Sequence, residues 1–72
     1  MKSIVIDRGM FKTQVWETEE GWRFDGPACN GPKHVRESGR GPWWKGPVEK
    51  AHVDELVAAA REHGMDVVER EI

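Results

Sequence analysis

The apolar positions in the first third of the chain follow the two-residue period of a β-strand. Ile4, Val5 and Ile6 form a short β-branched run, the pattern of a central strand covered on both faces. Asp7-Arg8-Gly9 can turn the chain after it. Phe11, Thr13 and Val15 then alternate with Lys12, Gln14 and Trp16, which predicts a second, half-exposed strand running to Glu17. Thr18-Glu19-Glu20-Gly21 is a polar turn ending in the residue that best tolerates positive φ. Trp22-Arg23-Phe24 resumes the alternation beyond it, so a hairpin is expected with Trp16 and Trp22 near its closed end.

Between Asp25 and Pro47 neither period is sustained, and the stretch holds five glycines and all four prolines. It predicts a long Gly/Pro-rich loop over residues 25–47, with at most a short strand around Val35. Ordered loops longer than about 12 to 15 residues are uncommon unless they serve a function. Past it the period changes to that of a helix. Val53, Leu56, Val57 and Ala60 lie at i, i+3, i+4 and i+7 on one face. Gly46 and Pro47 suit the N-cap and first helical position, and Gly64 a C-terminal cap after a helix running to about His63. Met65 to Ile72 reads as a last strand, with Val68, Arg70 and Ile72 on one side and Val67, Glu69 and Glu71 on the other. Its charges suit a sheet edge. The order β-β-β-loop-α-β predicts one α+β domain over residues 1–72, a small, mainly antiparallel sheet of three N-terminal strands and a C-terminal edge strand, covered on one face by a single helix.

Composition supports sheet over helical bundle, because one leucine stands against eight valines and four tryptophans. Charged residues make up 33% of the chain, which leaves no apolar run of the roughly 20 residues that a membrane span needs, nor a signal peptide. A cytoplasmic protein without membrane association is expected. A core in a chain of this size supplies only about 3 to 5 kcal/mol of net stability, so docking onto a larger protein or forming a homodimer is expected. A chain this short that opens on its own methionine is expected to act through a partner.

Net charge is −2, but its distribution matters more. Residues 1–32 carry four basic and five acidic groups, residues 33–47 four basic and one acidic, and residues 48–72 three basic and seven acidic. The middle is basic and the tail acidic.

Residues suited to catalysis do not assemble into a site. His52 and His63 are eleven positions apart on one predicted helix, so at about 1.5 Å per residue they stand too far apart to share an ion. Cys29 and His34 fit no common zinc spacing. Cys29, Ser3 and Ser38 are the available thiol and serine hydroxyls, and no base with an orienting group is evident for any of them. No phosphate-cradling glycine motif occurs. A protein that is not an enzyme, with no metal and no cofactor, is expected.

The sharpest feature is the basic segment that carries Lys33, Arg36, Arg40, Trp43, Trp44 and Lys45. Adjacent side chains on an extended backbone point to opposite sides, so one of the two tryptophans is expected at the surface. Trp and Arg dominate binding hot spots. The same residues could stack nucleobases while the cations meet phosphates. Glu49, Asp54, Glu55, Glu62, Glu69 and Glu71 form an expected second, acidic surface. The expected function is therefore a small interaction protein that binds a protein or nucleoprotein target through the basic Trp-bearing loop and the acidic helix and strand surface. By analogy of size and charge it would act as a phage-type inhibitor of host or defence machinery, anti-CRISPR-like. The alternative is a single-stranded nucleic-acid-binding module that uses the same loop. A third reading has the acidic surface mimicking nucleic acid.

Overall fold

A computed structural model describes all 72 residues. Five strands, β1 (Lys2–Asp7), β2 (Lys12–Thr18), β3 (Gly21–Pro27), β4 (Trp43–Val48) and β5 (Asp66–Glu71), form one sheet in the order β4-β3-β2-β1-β5. Every neighbouring pair is antiparallel. A short helix α1 (Lys33–Ser38) and a longer helix α2 (Lys50–Glu62) complete the α+β fold.

The hairpin and the α2 and β5 elements follow the sequence pattern. Thr18 faces Gly21 across the β2–β3 turn, and the Thr18 hydroxyl closes it by donating to the Gly21 carbonyl at 2.8 Å. On the packed face Ile4, Val15 and Phe24 stand side by side across β1, β2 and β3, with Ile6 and Trp22 in flanking rows. Val53 and Ala60 of α2 seal this layer, with Leu56 and Val57 packed against it. Gly64 adopts φ 71° and ends the helix, as only a residue without a Cβ does readily.

The other face of the sheet has no covering element. Val5 lies there half-buried, and so β1, though interior in the sheet, is covered on one face only. The register places Arg70, Ser3, Trp16, Arg23 and Pro47 in one row across this open face. Val68, Val5, Gln14, Asp25 and Lys45 form the next row.

Residues 25–47 are not a loop. β3 continues through Pro27, residues 28–30 form a 3-10 turn, α1 follows, and Trp43 opens a strand. Lys33 to Glu37 is helical rather than extended, with Val35 fully buried beneath it and Gly39 at φ 68° ending the helix. Gly46 and Pro47 lie inside β4, and Glu49 occupies the N-cap position of α2. Gly46 sits beneath the Trp44 ring, where a Cβ would come within 2.5 Å of Cζ2. This close approach explains a glycine in mid-strand better than a helix start does. Pro47 is tolerated because β4 is an edge. Ala28 N donates to Pro42 O, which fixes the ladder so that residues 43, 45 and 47 turn their backbone groups to solvent.

A small polar cluster ties the 3-10 turn to both layers. His52 Nε2 of α2 donates to the Asn30 carbonyl at 2.9 Å, and Asn30 Nδ2 donates to the buried Thr13 hydroxyl at 3.3 Å. The carbonyl only accepts, so the proton resides on Nε2 of His52. Gly26 leaves room for Thr13, since a Cβ there would lie 3.0 Å from its Oγ1.

Candidate interaction surface

The strand character of β4 decides where the basic segment points. Successive side chains of a strand alternate, so Trp43 and Lys45 face the open side of the sheet while Trp44 turns inward. Trp44 packs on Phe24 with ring centroids 5.7 Å apart and meets His34 of α1 edge-on at 6.0 Å. It is therefore a structural wall between sheet and α1. Trp43 is 48% exposed. Its indole Nε1 donates to Asp25 Oδ1 at 2.7 Å, which fixes the ring against the neighbouring strand.

The six residues expected to act together are thereby divided. Arg36 Nη1 donates to the Gly31 carbonyl at 2.8 Å and braces the entry to α1. Lys33 faces Glu37 one turn on at 3.8 Å, both side chains well exposed, a contact of little energetic weight. Arg40 lies between Gly39 and Gly41 on the exposed connection into β4 and makes no ion pair. Only Arg40, Trp43 and Lys45 share one region.

That region includes two residues the sequence pattern did not single out. The β1–β2 turn is held by Asp7 Oδ1, which accepts from Gly9 N at 2.7 Å, and by Arg8 N donating to Phe11 O at 3.1 Å. Gly9 at φ 92° permits this path. The turn leaves Met10 87% and Phe11 52% exposed. Phe11 precedes β2 instead of forming its first inward position, so its alternation with Thr13 and Val15 does not bury it. Together with Pro27, Pro42 and Trp43, these side chains line a cleft of about 670 Å³, with Arg8 and Cys29 also in its lining. Its wall is mostly apolar. Two large apolar residues in a turn directly after a glycine were the available signal.

Arg8, Lys12 and Arg40 lie at the end of the sheet that carries Trp43, with Asp7 and Asp66 at the same end of β1 and β5. Glu19 and Glu20 occupy the β2–β3 turn at the opposite end. Three of the six acids expected to form an acidic surface are engaged within the chain. Asp54 pairs with Lys50 at 2.8 Å, Glu69 with Arg61 at 3.4 Å, and Glu71 with the N-terminal ammonium at 2.7 Å. That last hydrogen bond, with the charge behind it, holds the Glu71 carboxyl below its ordinary pKa. Glu55 and Glu62 project from α2 into solvent, and Glu49 stands at its N-cap position without a side-chain capping bond.

None of the helices is long and apolar enough to cross a membrane. Comparison with known proteins yields no matching family model, and neither a curated protein nor a solved structure matches the chain.

Proposed function

We propose that this chain is a non-enzymatic interaction protein that docks on a larger macromolecular partner through the end of the sheet built by Met10, Phe11 and Trp43. The supporting observation is the coincidence of three exposed large apolar side chains around one cleft of about 670 Å³ with Arg8 in its lining. Exposed Phe, Trp and Met clustered at one place mark interaction sites far more often than singly exposed residues do. Arg8 lines the cleft and Lys12 stands beside Pro27 at that end, so a partner with acidic groups next to an apolar centre is the complementary one. Occupying such a surface is sufficient for an inhibitor of larger machinery, the class expected from size and charge.

Capture experiments with wild-type protein and the Trp43→Ala and Trp44→Ala variants test this. A partner retained by the wild type and lost with Trp43→Ala, at nearly unchanged melting temperature, supports the reading. The same proteins retained by wild type and Trp43→Ala contradict it.

Single-stranded nucleic-acid binding is the second reading. Its support is that Trp16 and Trp43 share the open face with Arg23 and Lys45 on the strands between and beside them. Asp25 sits among them, bound to Trp43, which weakens the field that phosphates would meet. Binding of an oligothymidine that falls steeply with salt would favour this second reading over a protein partner.

A further inference from the structure

The two edges of the sheet differ in what they offer a further strand. On β4, Pro47 has no N–H to present to solvent, and so a continuous ladder cannot form along that edge. β5 contains no proline. Ile72 N donates to Met1 O, and Lys2 to Asp7 pair in sequence with Glu71 to Asp66. In an antiparallel ladder hydrogen-bonded and non-hydrogen-bonded pairs alternate. Arg70, Val68 and Asp66 therefore spend their backbone groups on β1, and Glu71, Glu69 and Val67 turn theirs outward.

The side chains on the open face of β5 complete the pattern. Val68 is 46% exposed. Asp66 stands directly opposite Asp7 on β1, an unfavourable like-charge neighbour, and Arg70 stands opposite Ser3. Neither Asp66 nor Arg70 takes part in an ion pair of the chain. An acid and a base without partners flank an exposed valine at equal spacing on one face of a free edge. This arrangement is self-complementary about Val68.

We infer that β5 pairs antiparallel with β5 of a second copy of this chain, across a two-fold axis through Val68. In that register Val68 faces Val68 of the other copy, and each Asp66 faces the other copy's Arg70. Val67 and Glu69 exchange backbone hydrogen bonds. The parity of the outward groups permits this register, and the charges select it. Moving the axis to Glu69 places two Glu69 carboxylates together, and moving it to Val67 leaves Asp66 opposite a valine. The two open faces become one continuous face of a ten-stranded sheet, with the helices of both copies on the other side. Because β4 lies at the far edge, the Trp43 surface stays free in each copy. The inference thus stands independently of the function proposed above.

A six-residue edge buries less than a standard interface, so the association is measured by sedimentation equilibrium from about 10 µM to about 1 mM. Wild type is expected to be a reversible dimer in this range. Asp66→Lys sets an ammonium against the Arg70 guanidinium twice per dimer, and Arg70→Glu sets a second carboxylate against Asp66 twice, so each variant alone should associate at least about tenfold more weakly. An equimolar mixture of the two variants contains heterodimers in which one facing pair is native, Asp66 with Arg70, and the other is the same pair with its charges exchanged. Both pairs attract, so the mixture should associate at near wild-type strength. Circular dichroism checks that each variant is folded. A wild type that stays monomeric throughout overturns the inference. So does an association unchanged in either single variant, or a mixture that associates no better than its components.

Discussion

Replacing Trp44 by alanine should cost this domain most of its stability, whereas replacing Trp43, its immediate neighbour, should cost little. Trp44 is half-buried and packs on Phe24, on His34 and over Gly46. A fully buried tryptophan truncated to alanine loses about 3 to 5 kcal/mol, and the partial exposure of Trp44 brings the expected loss to about 2 to 3 kcal/mol. The net stability of so small a core is itself only about 3 to 5 kcal/mol. Trp43 forfeits one exposed hydrogen bond to Asp25, worth about 0.5 to 1 kcal/mol, and leaves no polar group stranded in the interior. In a domain of this size each kcal/mol moves the midpoint by about 4 to 8 °C, so Trp44→Ala should melt about 10 to 20 °C lower and Trp43→Ala less than about 8 °C lower. Thermal unfolding followed by circular dichroism, confirmed by calorimetry, reads the difference. Equal losses, or a larger loss for Trp43, would refute the assignment of one indole to the core and the other to recognition.

Three further outcomes follow from particular contacts. Gly46→Ala inserts a Cβ within 2.5 Å of the Trp44 ring and should destabilise by about 1 to 3 kcal/mol through displacement of that ring; a calorimetric midpoint equal to wild type would contradict the packing. Phe24→Ala removes a fully buried ring at the centre of the core, about 3 to 5 kcal/mol, and should leave no folded baseline in circular dichroism at room temperature. Glu71 has a carboxyl pKa lowered by the N-terminal ammonium. Its contribution to stability is therefore present above the carboxyl's unfolded value and lost as pH falls through the lower folded value. An NMR titration of the Glu71 side chain should place its midpoint below the ordinary glutamate value, and acetylating the N-terminus should raise it.

The parts of the fold legible in the sequence are those where a period survives for a full element. Ile4 with Ile6, Thr13 with Val15, and Trp22 with Phe24 show the two-residue repeat, and Val53 to Ala60 shows the helical one. The β4 and α1 elements were hidden for different physical reasons. In β4 the inward positions are Trp44, Gly46 and Val48, and the glycine is filled from above by the ring of its own neighbour, so the alternation lacks its middle apolar residue. The outward Pro47 removes a donor only where the edge has no use for one, a fact of topology that single-sequence patterning does not carry. α1 has six residues and one buried side chain, Val35, too few to establish a period. The Gly-Pro pair that resembles a helix start consequently misplaced the boundary.

At the site, the opposition of Trp43 and Trp44 was legible because it follows from backbone geometry alone. Their common residence with Lys33 and Arg36 was not, because α1 carries those two away and commits Arg36 to the Gly31 carbonyl. Met10 and Phe11 join Trp43 only through the register of β2, β3 and β4. Adjacency created by strand pairing lies outside what local patterning records.

The central claim is that partners are met at the end of the sheet that carries Phe11 and Trp43. Site-specific photocrosslinking in the cell tests it most directly, with a photoreactive phenylalanine placed at Phe11 or, in a second protein, at Glu19 in the β2–β3 turn. Covalent adducts to a partner formed from position 11 and absent from position 19 are the predicted result. Adducts formed from position 19 alone, or equally from both, would contradict the account.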